Sequence, residues 1–308
     1  MEACQPPFSA RAVAAMSRQT DAGELVPVRV VCKVFGISQA AYYAARKAAA
    51  VDVDRPRRKR TEHSSTEALR AAINAIVEVN PAWGVRKVWA TLRRAPWNQR
   101  VGRRRVHALM RAMGLCLPCE RSDEPLPRLG TVAVAEPNRR WATDLTTVWT
   151  DEDGLIAVVP VVDCGCRSIL ALSVTKAQDA AAVLAPVRAS LVDAFGSVDN
   201  VPDGLELRSD HGPQYTGTDC EDLCSEWNIN HTMSRIGRPT GNAVAERVIR
   251  TMKEECIWLR DWRSRTELDA ALMTWWQKYN DERPHQSLRW QTPSEVRHQH
   301  LRPERLAA

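Results

Sequence analysis

Three acidic residues in this chain have the side chains and spacing expected of a site that binds divalent cations. Asp144 lies in Trp-Ala-Thr-Asp-Leu-Thr-Thr, Asp210 in Arg-Ser-Asp-His-Gly-Pro, and Glu246 in Asn-Ala-Val-Ala-Glu-Arg. Thirty-five residues separate Asp210 from Glu246, and Lys253 follows Glu246 by two helical turns. Mg²⁺ prefers oxygen ligands and retains waters, so a few carboxylates and a phosphate are sufficient to hold it. The chemistry predicted is in-line attack on a phosphodiester, with two metal ions activating the attacking oxygen and stabilising the leaving oxygen.

The same residues also have an ordinary structural interpretation. The chain has 37 Asp and Glu residues, so three carboxylates alone are weak evidence. Glu246 and Arg250 are spaced as a surface i, i+4 pair, which stabilises a helix by only about 0.2–0.5 kcal/mol. The residues that flank the three acids must therefore decide between the two interpretations.

The flanking residues place each acid on a different regular element. Residues 141–149 form a β-branched and aromatic run that predicts a strand through Asp144, closed by the turn signal at residues 151–154. Strands over residues 155–163 and 167–175 would complete three antiparallel strands. Asp210 follows the short apolar run 205–207 and precedes Gly-Pro, so we expect it at a strand end. A helix starting near Asn242 carries Glu246, Arg250 and Lys253 on one face. Its apolar stripe consists of Ala245, Val248, Ile249, Met252, Cys256 and Leu259.

These motifs resemble those of the retroviral-integrase-like transposases of bacterial insertion sequences, which have an Asp, Asp, 35-residue gap, Glu signature. The similarity is greatest to the large-subunit type, which is often made from two overlapping reading frames. The motifs occur in order over roughly 160 residues. They are Trp141-Ala-Thr-Asp144, Ser209-Asp-His-Gly-Pro-Gln-Tyr215, Ser234-Arg235 with Gly237 and Pro239, Asn242-Ala-Val-Ala-Glu246, Lys253-Glu254, Tyr279-Asn280 with Arg283-Pro-His285, and Pro293-Ser294.

The resemblance implies a fold, a cofactor and a set of roles. The fold is an RNase H-like α/β core, with a mixed five-stranded sheet and flanking helices, preceded by an all-α helix-turn-helix region. Asp144, Asp210 and Glu246 would be catalytic and would hold two Mg²⁺ or Mn²⁺ ions, while Lys253 would contact DNA near the reacting phosphate. This chain departs from the usual pattern at Thr240-Gly241 and at residues 163–167, and neither departure touches an expected metal ligand.

Other classes of site are poorly supported. No Gly-rich phosphate loop and no Gly-x-Ser-x-Gly nucleophile motif occurs. The nine cysteines argue against a disulfide framework, and Cys116-x-x-Cys119 is at best half of a zinc site. His211 fits a general base or an orienting residue and fits a structural or DNA-contacting role equally well. We expect His285 to pack the C-terminal helix. No apolar run is long enough for a membrane helix and the first residues have no secretory pattern, which predicts a soluble cytoplasmic protein. The resemblance implies association with the bacterial nucleoid.

Charge is distributed unevenly along the chain. Residues 1–139 contain 24 Lys and Arg against 12 Asp and Glu, a net charge of +12, whereas residues 140–308 contain 19 against 25, a net charge of −6. A basic front half and an acidic rear half are typical of a DNA-binding module joined to a metal-holding one.

The basic half contains two helix-turn-helix candidates. Residues 30–46 predict one helix ending near Phe35, a turn, and a second helix capped by Ser38 and ending at Arg46, with Gln39 able to reach DNA. Simple helix packing is the alternative, and the basic stretch 52–60 is either a DNA-contacting linker or a solvated tail. Residues 66–115 predict three more helices, over 67–79, 85–94 and 103–113. Arg103, Arg104 and Arg105 open the third of these, where they could contact a DNA backbone.

The expected domains are a helix-turn-helix segment with a basic linker (1–62), a helical DNA-binding domain with a linker (63–135), an integrase-type catalytic core (136–262) and a C-terminal helical extension (263–308). The tryptophans after Glu246 could stack on bases, but core or subunit packing is the favoured interpretation; they are Trp258, Trp262, Trp275 and Trp276.

We therefore predict a transposase that binds the ends of an insertion element and catalyses strand cleavage and strand transfer. The expected partners are element-end and target DNA, further copies of the chain when two ends are paired, and a segment fused from an upstream reading frame. Two alternatives remain open: a metal-dependent nuclease of the same fold, and a non-catalytic DNA-binding protein, either decayed or regulatory.

Overall fold

The computed structural model describes residue 13 and residues 25–54, 65–116, 134–234 and 242–301, with side chains of the second segment described as far as residue 47. The chain divides into two compact units, Met1–His63 and Ser64–Ala308. Among the described residues, no helix has the length and hydropathy needed to cross a membrane.

The first unit contains the predicted helical pair. Helix α1 (Val28–Val34) and helix α2 (Gln39–Asp54) are separated by a turn in which Gly36 has a φ of 66°, a left-handed conformation that glycine adopts without strain. The Ser38 hydroxyl caps α2 by accepting the Ala41 N–H at 3.1 Å. The prediction that α2 ends at Arg46 is wrong: residues 47–50, Lys followed by three Ala, favour its continuation, and the helix extends to Asp54. The basic residues 55–60 lie outside the described residues.

Three helices begin the second unit, close to their predicted limits. They are α3 (Thr66–Val79), α4 (Val85–Leu92) and α5 (Arg103–Ala112). Ser65 caps α3 by accepting the Ala68 N–H at 3.1 Å. Apolar residues from all three helices form one core, in which Trp83, Val88 and Leu92 are buried.

A mixed sheet forms the centre of the second unit. Its strands in the described chain are β1 (Arg140–Thr143), β2 (Thr146–Thr150), β3 (Gly154–Asp163), β4 (Ile169–Thr175), β5 (Glu206–Ser209) and β6 (Asn230–Met233). Strand β3 pairs antiparallel with β1, β2 and β4, whereas β1, β5 and β6 run parallel to one another.

The predicted single strand over residues 141–149 is interrupted at Asp144 and Leu145. Thr143 pairs with Val161 and Thr146 pairs with Val158, so β1 and β2 keep one register along β3. In that register the interruption lies opposite Pro160, which has no backbone N–H to donate. When β1 and β2 are counted as one interrupted strand, the sheet has five strands. This arrangement confirms the predicted RNase H-like sheet.

Helices cover both faces of the sheet. Helices α6 (Ala180–Phe195), α7 (Pro213–Thr216) and α8 (Thr218–Glu226) contribute to an apolar core on one face with Trp141, Val159 and Val161. Helices α9 (Ala243–Glu255) and α10 (Arg265–Asp281) pack on the other face against Val148, Ile156 and Val158. Helix α11 (Pro293–Leu301) follows, and short 3₁₀ turns occur at Val198–Asn200, Ile257–Leu259 and Gln286–Leu288.

The three-helix segment contacts the end of the chain within this unit. Arg94 forms an ion pair with Glu295 and donates to the Trp290 carbonyl at 3.1 Å. The Trp89 and Trp290 rings meet edge to face, with centroids 5.7 Å apart. These contacts join α4 and the residues just after it to the C-terminal part of the second unit.

Candidate active site

Asp144 lies at the interruption between β1 and β2, where the sheet loses its regular pairing. The Leu145 N–H donates to Asp144 Oδ1 at 2.8 Å, and the side chain is partly buried. Because two paired strands flank it, Asp144 is held by a rigid part of the sheet rather than by a loop.

Asp210 follows β5, which is the parallel neighbour of β1. Trp141 pairs with Leu207 and Ala142 with Arg208, so both aspartates leave the sheet at the same edge. The Gly212 N–H donates to Asp210 Oδ1 at 3.0 Å. A Cβ at Gly212 would come within 3.1 Å of the same oxygen, so glycine allows this close approach.

Glu246 lies in the first turn of α9 and is exposed. The buried Asn242, at the N-cap position of α9, donates from Nδ2 to the Thr143 carbonyl at 2.9 Å. This bond fixes the start of the Glu246 helix to the residue that precedes Asp144. Three elements that are distant in sequence are thus brought to one sheet edge.

The pKa of Asp144 responds to the two other acids. Burial, together with the charges of Asp210 and Glu246, raises the pKa of Asp144 to about 6, although the Leu145 N–H and Lys253 oppose the rise. Burial also raises the pKa of Glu246. Tyr215 lies close by, with its hydroxyl 3.3 Å from Thr143 Oγ1, and burial, together with the two aspartate charges, raises its pKa.

The acids are not drawn into a closed ligand cage. Within the segments that the structure describes, no group of three or more His, Cys, Asp or Glu side chains is arranged to hold a metal ion. The donors at this edge are carboxylate oxygens that repel one another, which is the donor chemistry that Mg²⁺ and Mn²⁺ accept. By the type of their donor atoms, rather than by a completed ligand set, the residues fit divalent ions that also take ligands from a substrate phosphate and from water.

The two basic residues predicted on α9 have different surroundings. Lys253 is partly buried, and its charge acts on Asp144. Arg250 is exposed and donates to Glu254 at 2.7 Å, so the i, i+4 pair considered for Glu246 instead joins Arg250 to Glu254. The apolar stripe of α9 is buried as predicted except at its end, because the helix stops at Glu255 and Leu259 is exposed.

A second charged cluster lies at the other end of α9. Glu255 is buried and accepts from Lys87 Nζ at 2.5 Å and from Arg283 Nε at 2.9 Å. Burial alone would raise the pKa of Glu255, but Arg283 and Lys87 outweigh it and hold the pKa below its ordinary value. The pKa of Lys87 is also lowered, by its burial and by the Arg283 charge, which together exceed the pull of Glu255.

The C-terminal motif residues have structural contacts. Asn280 accepts the Ile169 N–H at 3.0 Å and donates to the Ile169 carbonyl at 2.8 Å, which fastens α10 to β4. His285 is buried beside Arg283, and burial lowers its pKa to about 2, so it is neutral. These contacts agree with the packing role predicted for His285, and His211 is exposed beside Asp210.

The candidate DNA contacts lie on helix starts. Gln39 is exposed at the first residue of α2. Arg103 and Arg104 are exposed at the start of α5, where the helix dipole disfavours cations unless an anion is present. Arg105 is partly buried and donates to Thr66 Oγ1 at 3.3 Å, which links α5 to α3.

The cysteines in the described part of the chain are all free thiols. Cys164 and Cys166 are buried, and burial raises the pKa of both. Cys119 of the half zinc motif lies outside the described residues.

Asn242, Gly212 and Tyr215 lie in the sequence motifs, but their contacts were not predicted. Their signal was position: each lies within five residues of a predicted acid. Glu255 had no such signal, because its partners Lys87 and Arg283 are remote in sequence.

Comparisons with known proteins agree with this arrangement. Two models described as integrase core domain match residues 134–239 and 227–293, and one described as HTH-like domain matches residues 64–122. The transposase InsD for insertion element IS2A/D/F/H/I/K of Escherichia coli is 24% identical over 77% of this chain and 80% of its own length. A 48.2 kDa protein of IS2A from the same organism is 25% identical over 78% of this chain, which spans only 58% of that relative.

Among solved structures, the HTLV-2 integrase catalytic core domain in complex with magnesium covers 53% of this chain and 98% of its own, with 16% identity and a TM-score of 0.37. The sequence matches establish that the chain has an integrase core domain preceded by an HTH-like domain and that it is homologous to insertion-element transposases.

Proposed function

We propose that this chain, an integrase-core homologue of insertion-element transposases, is a DNA transposase that binds element ends and performs strand cleavage and strand transfer. The observation that best supports the proposal is the electrostatic coupling of Asp144 to Asp210, Glu246 and Lys253. The three acids come from three separate elements, Lys253 shares the helix of Glu246, and the charges of all three partners act on Asp144.

In this proposal Asp144, Asp210 and Glu246 would hold two divalent ions, Mg²⁺ or Mn²⁺. When bound, such ions activate the attacking hydroxyl or water and stabilise the leaving oxygen of the phosphodiester. The sheet fixes both aspartates, and Asn242 fixes the helix that carries Glu246. The Lys253 ammonium would offset the negative charge of the phosphate beside the acids.

DNA binding is assigned to the basic front half. Arg103 and Arg104 would contact backbone phosphates, Arg105 would add one contact while also packing on Thr66, and Gln39 and Arg250 would contribute from α2 and α9. The domain limits of 1–62, 63–135, 136–262 and 263–308 belong to the same proposal.

The reaction also implies an assembly. Because two element ends must be held together, we expect at least two copies of the chain to act jointly, with or without a segment from an upstream reading frame. A protein acting on chromosomal DNA in this way would work at the bacterial nucleoid.

The test compares wild-type protein with Glu246→Gln and with the matched control Glu254→Gln, which removes an exposed carboxylate from the same helix. Each is incubated with DNA carrying the native element ends in Mg²⁺ or Mn²⁺, and nicked and joined strands are scored on a denaturing gel. We expect joined product from wild type and Glu254→Gln, and a loss of more than about 100-fold for Glu246→Gln.

Other results would select an alternative. Cleavage without joining would favour a metal-dependent nuclease of the same fold, whereas DNA binding with no strand product in either metal would favour a non-catalytic DNA-binding protein. Equal activity of wild type and Glu246→Gln would overturn the assignment of Glu246.

A further inference from the structure

A groove beside the acidic site has two exposed tryptophans in its lining. Trp149 on β2 is 67% exposed and Trp258 in the turn after α9 is 65% exposed, whereas Trp262 and Trp275 are buried. Both line an open groove of about 620 Å³ together with Lys253. Large aromatic side chains exposed together mark a binding surface more often than a chance feature.

The groove is linked to the acidic site through Lys253, which lies on the same helix as Glu246. Lys253 lines it, and the Lys253 charge acts on Asp144. Trp149 lies five residues after Asp144, on the continuation of the same strand. A strand of nucleic acid with a phosphate at the acids could therefore extend into this groove without leaving the protein surface.

The turn that carries Trp258 is well fixed. Trp262 donates from its indole N–H to the Ile257 carbonyl at 2.9 Å, and the Arg260 guanidinium lies 4.4 Å from the Trp262 ring centroid. The Asp151 N–H donates to the Trp262 carbonyl at 3.0 Å, which fastens this turn to the end of β2. The groove is thus preformed, and binding there requires little ordering of the backbone.

The charges of the lining indicate the kind of ligand. Arg260 is paired with Glu267, so Lys253 is the cation in the described lining that has no ion pair. Asp151 and Asp261 also line the groove. A duplex backbone requires many cations, which this lining lacks. Unpaired bases bind by stacking on aromatic faces while a cation contacts the backbone, and Trp149, Trp258 and Lys253 provide these groups here.

We infer that the groove binds unpaired bases of the DNA strand next to the reacting phosphate, by stacking on Trp149 and Trp258 with Lys253 contacting the phosphate. This inference rests on the proposed function, because it takes DNA as the substrate of the neighbouring acids. It adds that the DNA is locally single-stranded at the site.

The experiment measures anisotropy of fluorescein-labelled (dT)₁₂, of an abasic backbone of equal length, and of a 12-base-pair duplex. The proteins are wild type, Trp149→Ala/Trp258→Ala, Trp149→Phe/Trp258→Phe, Trp149→Leu/Trp258→Leu, and Val192→Ala as an exposed apolar control on α6. Sedimentation gives the oligomeric state of each protein at the concentrations used.

We expect the Ala and Leu pairs to bind (dT)₁₂ about tenfold or more weakly, with the Phe pair close to wild type. Binding of the abasic backbone and the duplex should change less than about twofold, and Val192→Ala should match wild type. Unchanged (dT)₁₂ binding by the Ala pair would overturn the inference. A shift of the Ala or Leu pair to a smaller oligomer, with or without a loss of (dT)₁₂ binding, would overturn it in favour of an interface between copies.

Failure of this inference is separable from failure of the proposed function. Strand joining by wild type and its loss in Glu246→Gln test the acids, irrespective of how (dT)₁₂ binds. If joining is observed while the tryptophan variants bind (dT)₁₂ normally, the transposase stands and the groove assignment is wrong.

Discussion

Helix α9 carries two glutamates in opposite environments. Glu246, in its first turn, is exposed and has no hydrogen bond or ion pair to another side chain among the described residues, whereas Glu255, at its last residue, is buried between Arg283 and Lys87. The helix dipole favours the negative charge of Glu246 and opposes that of Glu255, which the two cations must offset. The Glu246 carboxylate is therefore available to a ligand, whereas the Glu255 carboxylate is engaged in holding the fold together.

Glu255 also connects α9 to two other parts of the unit. Lys87 belongs to α4 in the HTH-like domain, and Arg283 follows α10, so Glu255 fastens two parts of the unit to the helix that carries Glu246. Any variant that loosens Glu255 should therefore act on stability and on the relation of the domains. A variant at Glu246 should act on chemistry alone.

Glu255→Gln should have the largest effect on folding. It leaves Arg283 and Lys87 buried without their carboxylate, and breaking one side of a buried ion pair typically costs about 3–5 kcal/mol. Urea titration at neutral pH would measure the loss in the free energy of unfolding. Glu246→Gln is the control on the same helix and should unfold at the wild-type urea concentration or slightly above it.

The Glu255 effect should also depend on pH. Since the folded-state pKa is lower than the ordinary 4.5, the stabilisation is fully present above pH 4.5 and is lost as the pH falls through the lowered value. The gap in the free energy of unfolding between wild type and Glu255→Gln should narrow only below about pH 4.5. A gap that is constant from pH 3 to 7 would contradict the assignment of the stability to the charged carboxylate.

Asn242→Ala should affect chemistry more than folding. It removes the hydrogen bond from Asn242 to the Thr143 carbonyl, which sets the position of Glu246 relative to Asp144. A small displacement of a catalytic group can cost about 100-fold in rate, while one lost hydrogen bond costs about 1 kcal/mol of stability. Strand-joining rates and urea titration would measure the two effects separately.

Thr251→Ala is the matched control for Asn242. Thr251 is also buried and donates to the Arg247 carbonyl at 2.8 Å, but this bond stays within α9. It should lose similar stability without a comparable loss of rate. Parallel losses of rate in both variants would show that Asn242 acts only through stability.

Asp144→Asn should stabilise the protein in EDTA. The folded-state pKa of about 6 exceeds the ordinary 3.8, so the folded protein binds this proton more tightly than the unfolded chain does, and stability falls as pH rises from about 4 through 6. The free energy of unfolding of the variant should exceed that of wild type by on the order of 1 kcal/mol at pH 7.5, after allowance for the partial exposure of the carboxyl. Melting temperatures measured at pH 4 and pH 7.5 would show the gain only at the higher pH.

Divalent metal should reverse the order of the melting temperatures of wild type and Asp144→Asn. Mn²⁺ would neutralise the mutual repulsion of the acids and raise the melting temperature of wild type, whereas Asp144→Asn has lost one ligand and should respond weakly. An equal response of both proteins to Mn²⁺ would exclude Asp144 as a ligand without any measurement of activity.

The sequence was sufficient for the parts of this site that depend on local pattern. Strand and helix signals placed Asp210 and Glu246 on the right elements, and the start of α9 was predicted to within one residue of Ala243. The interruption at Asp144 was not predicted, because a β-branched run from Trp141 to Trp149 has no internal break signal. Its cause, the opposing Pro160, becomes visible only when the register of β3 is known.

Features that depend on distant contacts could not be predicted from the sequence. The pairing of Glu255 with Lys87 joins residues 168 positions apart. The exposure of Trp149 and Trp258 likewise depends on where neighbouring elements end, because an exposed and a buried tryptophan look alike in sequence. Arg250 and Glu246 had the spacing of an ion pair, but Glu254 has the same spacing on the other side and takes the contact.

Arg250 gives the smallest effect on stability and sharpens the comparison between exposed and buried charge. Its pair with Glu254 is solvated, so Arg250→Ala should leave the melting temperature within error of wild type. If Arg250 contacts a DNA phosphate, the same variant should lower the slope of log affinity against log salt by about one. Glu254→Gln releases Arg250 from its partner and should bind DNA as tightly as wild type or more tightly. A salt slope that is unchanged in Arg250→Ala would mean that Arg250 does not contact DNA and that Lys253 is the cation on this face of α9 that acts near the acids.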